Sequence, residues 1–291
     1  MSSLSEAGVA GMATDGAEAA FGAAPPLYFL SSATDAGRIE ACSGTRTVSD
    51  AERAQFSYDA NAILPRDDWR KAALRKWDHP EPWAFSDQRF NCVALLHCPD
   101  RLLRLIAPIR SGRTRPDLEL MQDAMGDICT IQGPVHIHGI IHNAPGDPTV
   151  TIDHHAKRRI GLHVDNWDKQ NIDKRRLSPN RICINVGECT RIFLFVPIEI
   201  GSVVSILRAA GIDVRASPRP TALGRLFLHR YPNVPVLRVP VDPGCAYIAP
   251  TETLIHDAST AQMTKVDYQL TIRGYVDARA GQGDVYVCAF A

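Results

Sequence analysis

Two histidines and one aspartate stand out by type and spacing. His163 and Asp165 lie two residues apart in Gly161-Leu162-His163-Val164-Asp165-Asn166-Trp167, and His256 follows far down the chain. In an extended segment, residues i and i+2 point to the same side, so both side chains can reach one ion. Two imidazoles and a carboxylate hold a divalent iron on one face and leave the opposite face open to reactants. The donor set therefore predicts a metal-dependent oxidation. A His-x-Asp pair carries little weight by itself; the distal His256 is what raises its value.

A rival cluster lies earlier. Val135-His136-Ile137-His138-Gly139-Ile140-Ile141-His142 puts His136 and His138 on one face of an apparent strand, with His142 joining them if the alternation holds. Three imidazoles can bind a metal without any carboxylate. The plainer reading is a set of hydrogen-bonded histidines on a strand.

The elements that must position these residues change character along the chain. After about residue 130, short β-branched or apolar runs alternate with turn residues, at 135–141, 160–164, 181–186, 191–196, 234–239, 246–248, 266–276 and 285–290. Many short strands at modest spacing predict a barrel or sandwich. One helix interrupts them at 201–210, with Gly211 as its stop. The 266–273 run alternates an apolar face (Val266, Tyr268, Leu270, Ile272) with a polar one that includes Lys265, Gln269 and Arg273. Before residue 130, helices are predicted after Ser49 and at 67–75, 99–106 and 116–125, the second because its acids lead and its bases trail. Residues 1–26, rich in Ala, Gly and Ser, predict a disordered leader.

Composition narrows the classes. Lys+Arg and Asp+Glu are both 32 in 291 residues, so the formal charge is zero. That argues against nucleic acid or an anionic membrane held by bulk charge, though not against a local basic patch. The eight cysteines are scattered without a Cys-x-x-Cys pair, which predicts free thiols in a reducing compartment. With no secretory signal and no apolar run long enough to span a bilayer, a cytoplasmic location is expected. The Lys157-Arg158-Arg159 and Lys174-Arg175-Arg176 runs read as solvated loops, or else as a site for an anionic substrate or carrier.

Residues from about 130 to 276 resemble the Fe(II)/2-oxoglutarate-dependent oxygenases. The resemblance implies a mainly β fold with flanking helices (α+β) around a double-stranded β-helix, the jelly-roll or cupin-like core. It implies one oxygenase domain over 27–291, with the β-helix at about 130–276 and N-terminal helical support. His163, Asp165 and His256 become the catalytic iron ligands. Arg273 becomes the anchor for the far carboxylate of 2-oxoglutarate, a task that suits its planar fork. Lys265 is the rival anchor. Asn185, on one strand face with Cys183, is expected to turn inward toward the cosubstrate, and Trp167 and Asn166 to line the substrate mouth. The implied reaction consumes 2-oxoglutarate and O2, releases succinate and CO2, and hydroxylates a small molecule such as an amino acid or natural-product intermediate. Two alternatives stay open: a cupin-type metalloenzyme using His136, His138 and His142 without 2-oxoglutarate, and a β-helix binding protein without catalysis.

Overall fold

The computed structural model describes residues 24, 27–76, 92–110, 117–216, 219–278 and 283–288. Apart from Ala24, the predicted leader lies outside the described residues, as does Pro116 ahead of the helix predicted at 116–125.

The N-terminal part runs β1 (Leu27–Ser31), α1 (Ala33–Ala36), β2 (Glu40–Cys42), β3 (Thr45–Thr47), α2 (Asp50–Phe56), β4 (Tyr58–Pro65), β5 (Arg70–Lys71), β6 (Arg75–Lys76) and β7 (Cys92–His97). It continues through α3 (Asp100–Arg110), α4 (Leu118–Met125), β8 (Cys129–Asn143), β9 (Ile152–Asp153), β10 (Arg158–Gly161), β11 (Asn180–Asn185) and β12 (Arg191–Glu199). The remainder is α5 (Ile200–Ala209), α6 (Pro220–Arg230), β13 (Val236–Val241), β14 (Cys245–Ala249), β15 (Leu254–Ser259), β16 (Asp267–Ala278) and β17 (Asp284–Cys288). The fold is mainly β, with helices packed outside. An eight-stranded sheet has the order β6-β17-β1-β7-β14-β11-β16-β8, and a five-stranded sheet the order β15-β12-β13-β2-β5. A small sheet, β3-β4-β10-β9, stands beside them.

Alternation along single strands shows how the layers stack. On β12, Ile192, Leu194 and Val196 join α5 and α6 in one cluster. The intervening Phe193 and Phe195 face the other way, into a cluster shared with Val93, Leu95 and Tyr247 of the large sheet. On β11, Ile182 and Ile184 pack outward with α3 and α4, while Cys183 joins the shared interior. Both faces of these strands are covered, so they read as continuous apolar runs in the sequence.

Four antiparallel pairs are nested inside one another. β8 pairs β16, the His163 segment bridges His256 in β15, β11 pairs β14, and β12 pairs β13.

Several expectations are corrected. No helix forms at 67–75; β5 and β6 add to the edges of two sheets. Ala72 and Leu74 pack toward the interior while Lys71, Ala73 and Arg75 between and beside them stay exposed, and that period of two outweighs the charge pattern. The N-terminal third is not a helical support. β1 and β7 sit in the middle of the large sheet, and β1 pairs β17 near the other end of the chain, so the β structure is not confined to 130–276. The helices after Ser49, at 99–106 and at 201–210 form as expected, the first with a complete capping box and the last followed by Gly211 at φ +73°. Helix α6 was not predicted. No disulfide links the eight cysteines, and among the described residues no helix is long and apolar enough to cross a membrane.

Candidate metal centre

The local chain path explains how His163 and His256 meet. β10 pairs with β4 and breaks at Gly161, whose φ is +66°. A Cβ there would lie 2.5 Å from the Ile63 carbonyl oxygen, so only glycine fits. After this bend the chain leaves β4 and pairs with β15. His163 N–H donates to His256 O at 3.0 Å, and His256 N–H donates to His163 O at 2.7 Å. Two residues on, Asp165 N–H donates to Thr251 O at 3.1 Å. Outside this pair, Gly224 of α6 lies against Ile255 and Val164, where a Cβ would sit 3.2 Å from Ile255.

The three side chains converge as the sequence predicts. One ligand atom from each of His163, Asp165 and His256 lies within 4.8 Å of the others, and all three residues are buried. The His163 and His256 rings are 4.7 Å apart. Each Nδ1 lies 3.0 Å from a backbone carbonyl, Gly161 O and Leu254 O respectively. Donating Nδ1–H to that carbonyl leaves Nε2 as the nitrogen that can meet an ion in both rings. The Nε2 atoms face the Asp165 carboxylate at 3.6 and 3.8 Å.

His256 Nε2 is buried with no hydrogen-bond partner. Such a lone pair costs about 1–3 kcal/mol, which a cation at the shared point would remove. Two imidazole nitrogens and a carboxylate are the donors a divalent transition metal takes. The residues present fit the ion.

Burial and charge set the protonation. Burial pushes the His256 imidazole down to about 4, against a smaller upward pull from Asp165. Burial also opposes charge on His163, but contact with Asp165 and Asp257 prevails and raises it to about 9. Asp257 Oδ2 lies 3.6 Å from His163 Nδ1. Asp165 is held well below the usual carboxylate range: burial works against that, and Arg181 and both histidines outweigh it. Arg181 Nη2 lies 2.7 Å from Asp165 Oδ2.

Around the triad the predicted residues divide. Arg273 sits on the inward polar face of β16, opposite Arg181 of β11. Its fork grips Asp168 at 3.0 and 2.9 Å. Trp167 is 52% exposed; its ring lies 4.8 Å from that of His138, with Arg181 and Arg273 each 5.9 Å away. Both arginine heads and an aromatic face thus line the approach to Asp165.

Three predicted residues have other partners. Lys265 precedes β16 and pairs with Glu188 at 2.5 Å on the exposed surface, so it shares no inner face with Arg273. Asn185 is fully buried, but its amide is spent on backbone: it donates to Cys189 O and Val241 O and accepts from Gly187 N. It shapes a turn and is not positioned to meet a cosubstrate. Asn166 is exposed and accepts from Arg175, beside a separate cavity.

The rival histidines do not assemble. His136 lies opposite Arg273 and His142 opposite Tyr268, so a register shift near Gly139 puts them on different faces. Cross-strand partners share a face, and one extra residue reverses it.

Sequence reasoning missed the groups that hold the ligand loop. Arg175, read as a solvated base, is 1% exposed. It donates to Asp165 O and Glu252 O and pairs with the Glu252 carboxylate at 2.8 Å. Glu252 Oε1 accepts from Trp167 N. Only their burial, invisible in a polar stretch, marks them.

Compared with known protein families, curated proteins and solved structures, the chain matches none.

Proposed function

We propose that this chain is an iron- and 2-oxoglutarate-dependent oxygenase that hydroxylates a small molecule. The observation that carries the reading is the buried convergence of His163, Asp165 and His256 with both Nδ1 atoms committed to backbone carbonyls. The nested pairing of β8 to β16 supports a double-stranded β-helix, because a long antiparallel ribbon wound on itself pairs its segments first with last and inward in turn.

Bound Fe(II), with 2-oxoglutarate and O2, supplies the oxidising power for a C–H bond, and succinate and CO2 are released. The protein's own residues do the rest. His163 and His256 present neutral Nε2 atoms to the ion, and Asp165 contributes negative charge. Arg181 keeps Asp165 ionised and oriented. Asp257 and Gly161 O hold the His163 ring. Arg273 takes the far carboxylate of 2-oxoglutarate with the fork that now grips Asp168. Trp167 and His138 shield the mouth from water.

The test is anaerobic titration with Fe(II) or Mn(II), followed by aerobic assay of succinate. Stoichiometric metal and 2-oxoglutarate-dependent succinate are expected from the native chain. His138→Ala should retain both, and Asp165→Ala should lose both. Absence of stoichiometric metal, with no rise in melting temperature on adding it, would defeat the reading, since a ligand bound to the native state stabilises it.

A further inference from the structure

Asn166 lines a cavity of about 330 Å³. Its volume falls at the low end of small-molecule sites, roughly 300–1,000 Å³. Lys169, Arg175, Arg208, Arg215 and Arg219 line it, and no carboxylate does among the described residues. None of Lys169, Arg208, Arg215 and Arg219 forms an ion pair with another described residue. In a chain of zero formal charge, four unpaired cations converging on one concave surface are a local excess that attracts an anion.

Two further observations point the same way. The cavity reaches Pro220, the first residue of the eleven-residue helix α6, and no side chain caps that end. Uncapped N–H groups and the positive end of a helix bind phosphate. The buried Arg175, at 1% exposure, lines the cavity with its Nε donor unpartnered. A buried donor without an acceptor costs about 1–3 kcal/mol, and an anion oxygen in the cavity would satisfy it.

We infer that this cavity binds a phosphate-bearing small molecule. Guanidinium forks and a helix N-terminus suit phosphate oxygens, and four cations match a multiply charged group better than one carboxylate. The site is independent of the metal reading, although Arg175 also donates to the carbonyl of Asp165 and so joins the two places.

Calorimetry on the full chain with pyrophosphate tests this, with acetate as a monoanion control. Pyrophosphate should bind tighter than about 1 mM, acetate more weakly, and the affinity should fall as salt rises. Arg208→Glu with Arg219→Glu should weaken pyrophosphate at least about tenfold, while Arg104→Glu, exposed and outside the cavity, leaves it unchanged. If the double variant does not fold, Arg215→Gln and Arg219→Gln singly should each weaken binding about threefold. Binding weaker than about 1 mM, or insensitive to every cavity variant, overturns the inference. Metal titration of the same variants separates the two proposals, because their metal affinity should match that of the native chain.

Discussion

Two histidine clusters lie close together and differ in every property that matters to a metal. His163 and His256 are buried, each fixed by a carbonyl at Nδ1, and share the Asp165 carboxylate. On the edge strand β8 His136 is exposed and His138 half-buried, their rings 4.8 Å apart and edge-on, with His142 turned to the opposite face. Density of histidines along the sequence favours the second cluster; aim and charge favour the first. A metal site needs lone pairs pointed at one spot, and that is a property of backbone partners.

The comparison can be broken most forcefully at Arg181. Arg181→Met leaves Asp165 ionised and buried without its closest cation, and should cost about 3 kcal/mol of metal-free stability in urea unfolding. His138→Ala should cost under about 1 kcal/mol in the same experiment. Comparable losses at both positions would erase the distinction.

Metal affinity comes next. His163→Ala or His256→Ala should weaken Mn(II) binding by more than about 100-fold, and His138→Ala by less than about threefold. Equilibrium dialysis distinguishes them.

Acidity sharpens the contrast further. His163 is raised to about 9, so in the metal-free chain it carries a proton near neutrality that a metal must displace. Affinity should climb about tenfold per pH unit from 7 and level off above about 9. His256, lowered to about 4, is already neutral there and adds no slope. The stability of the metal-free chain moves the opposite way. His163's raised value contributes stabilisation that is complete below about 6.5 and fades as pH rises through about 9. Calorimetry in buffers of different ionisation enthalpy should find about one proton released per metal at pH 7. Flat affinity between pH 7 and 9 would contradict the charge assignment.

The smallest effect concerns Asp168. Asp168→Asn weakens its hold on the Arg273 fork and should lower the KM for 2-oxoglutarate about threefold with kcat unchanged. Arg273→Lys should raise that KM, since one ammonium cannot replace a fork.

Much of the fold was legible where both faces of a strand are covered by apolar layers. β11, β12 and β16 lie close to the predicted runs because their central residues, Ile182 and Ile184, Ile192 to Val196, and Leu270 and Ile272, are buried apolar or β-branched side chains. Strand β15 was not legible as a strand. Leu254–Ser259 is wholly buried but carries His256, Asp257 and Ser259, and such polar content reads as a loop. The exception arises because buried polar groups are satisfied by partners distant in sequence: Asp257 Oδ1 accepts from Val150 and Thr151 N–H. Helix α6 was hidden by a proline and a glycine, one allowed in the first turn and the other seated closely against Ile255.

Residue types and i, i+2 spacing by themselves determined that His163 and Asp165 can serve one ion, because extended backbone sends both side chains to one side. They also marked the apolar runs that became β11, β12 and β16. Only the folded chain decided that His256 is the partner, that Arg273 and not Lys265 faces inward, and that Asn185 is spent on a turn. Those outcomes depend on sheet register and on which buried donor finds which acceptor, and both are settled between segments that local sequence cannot see.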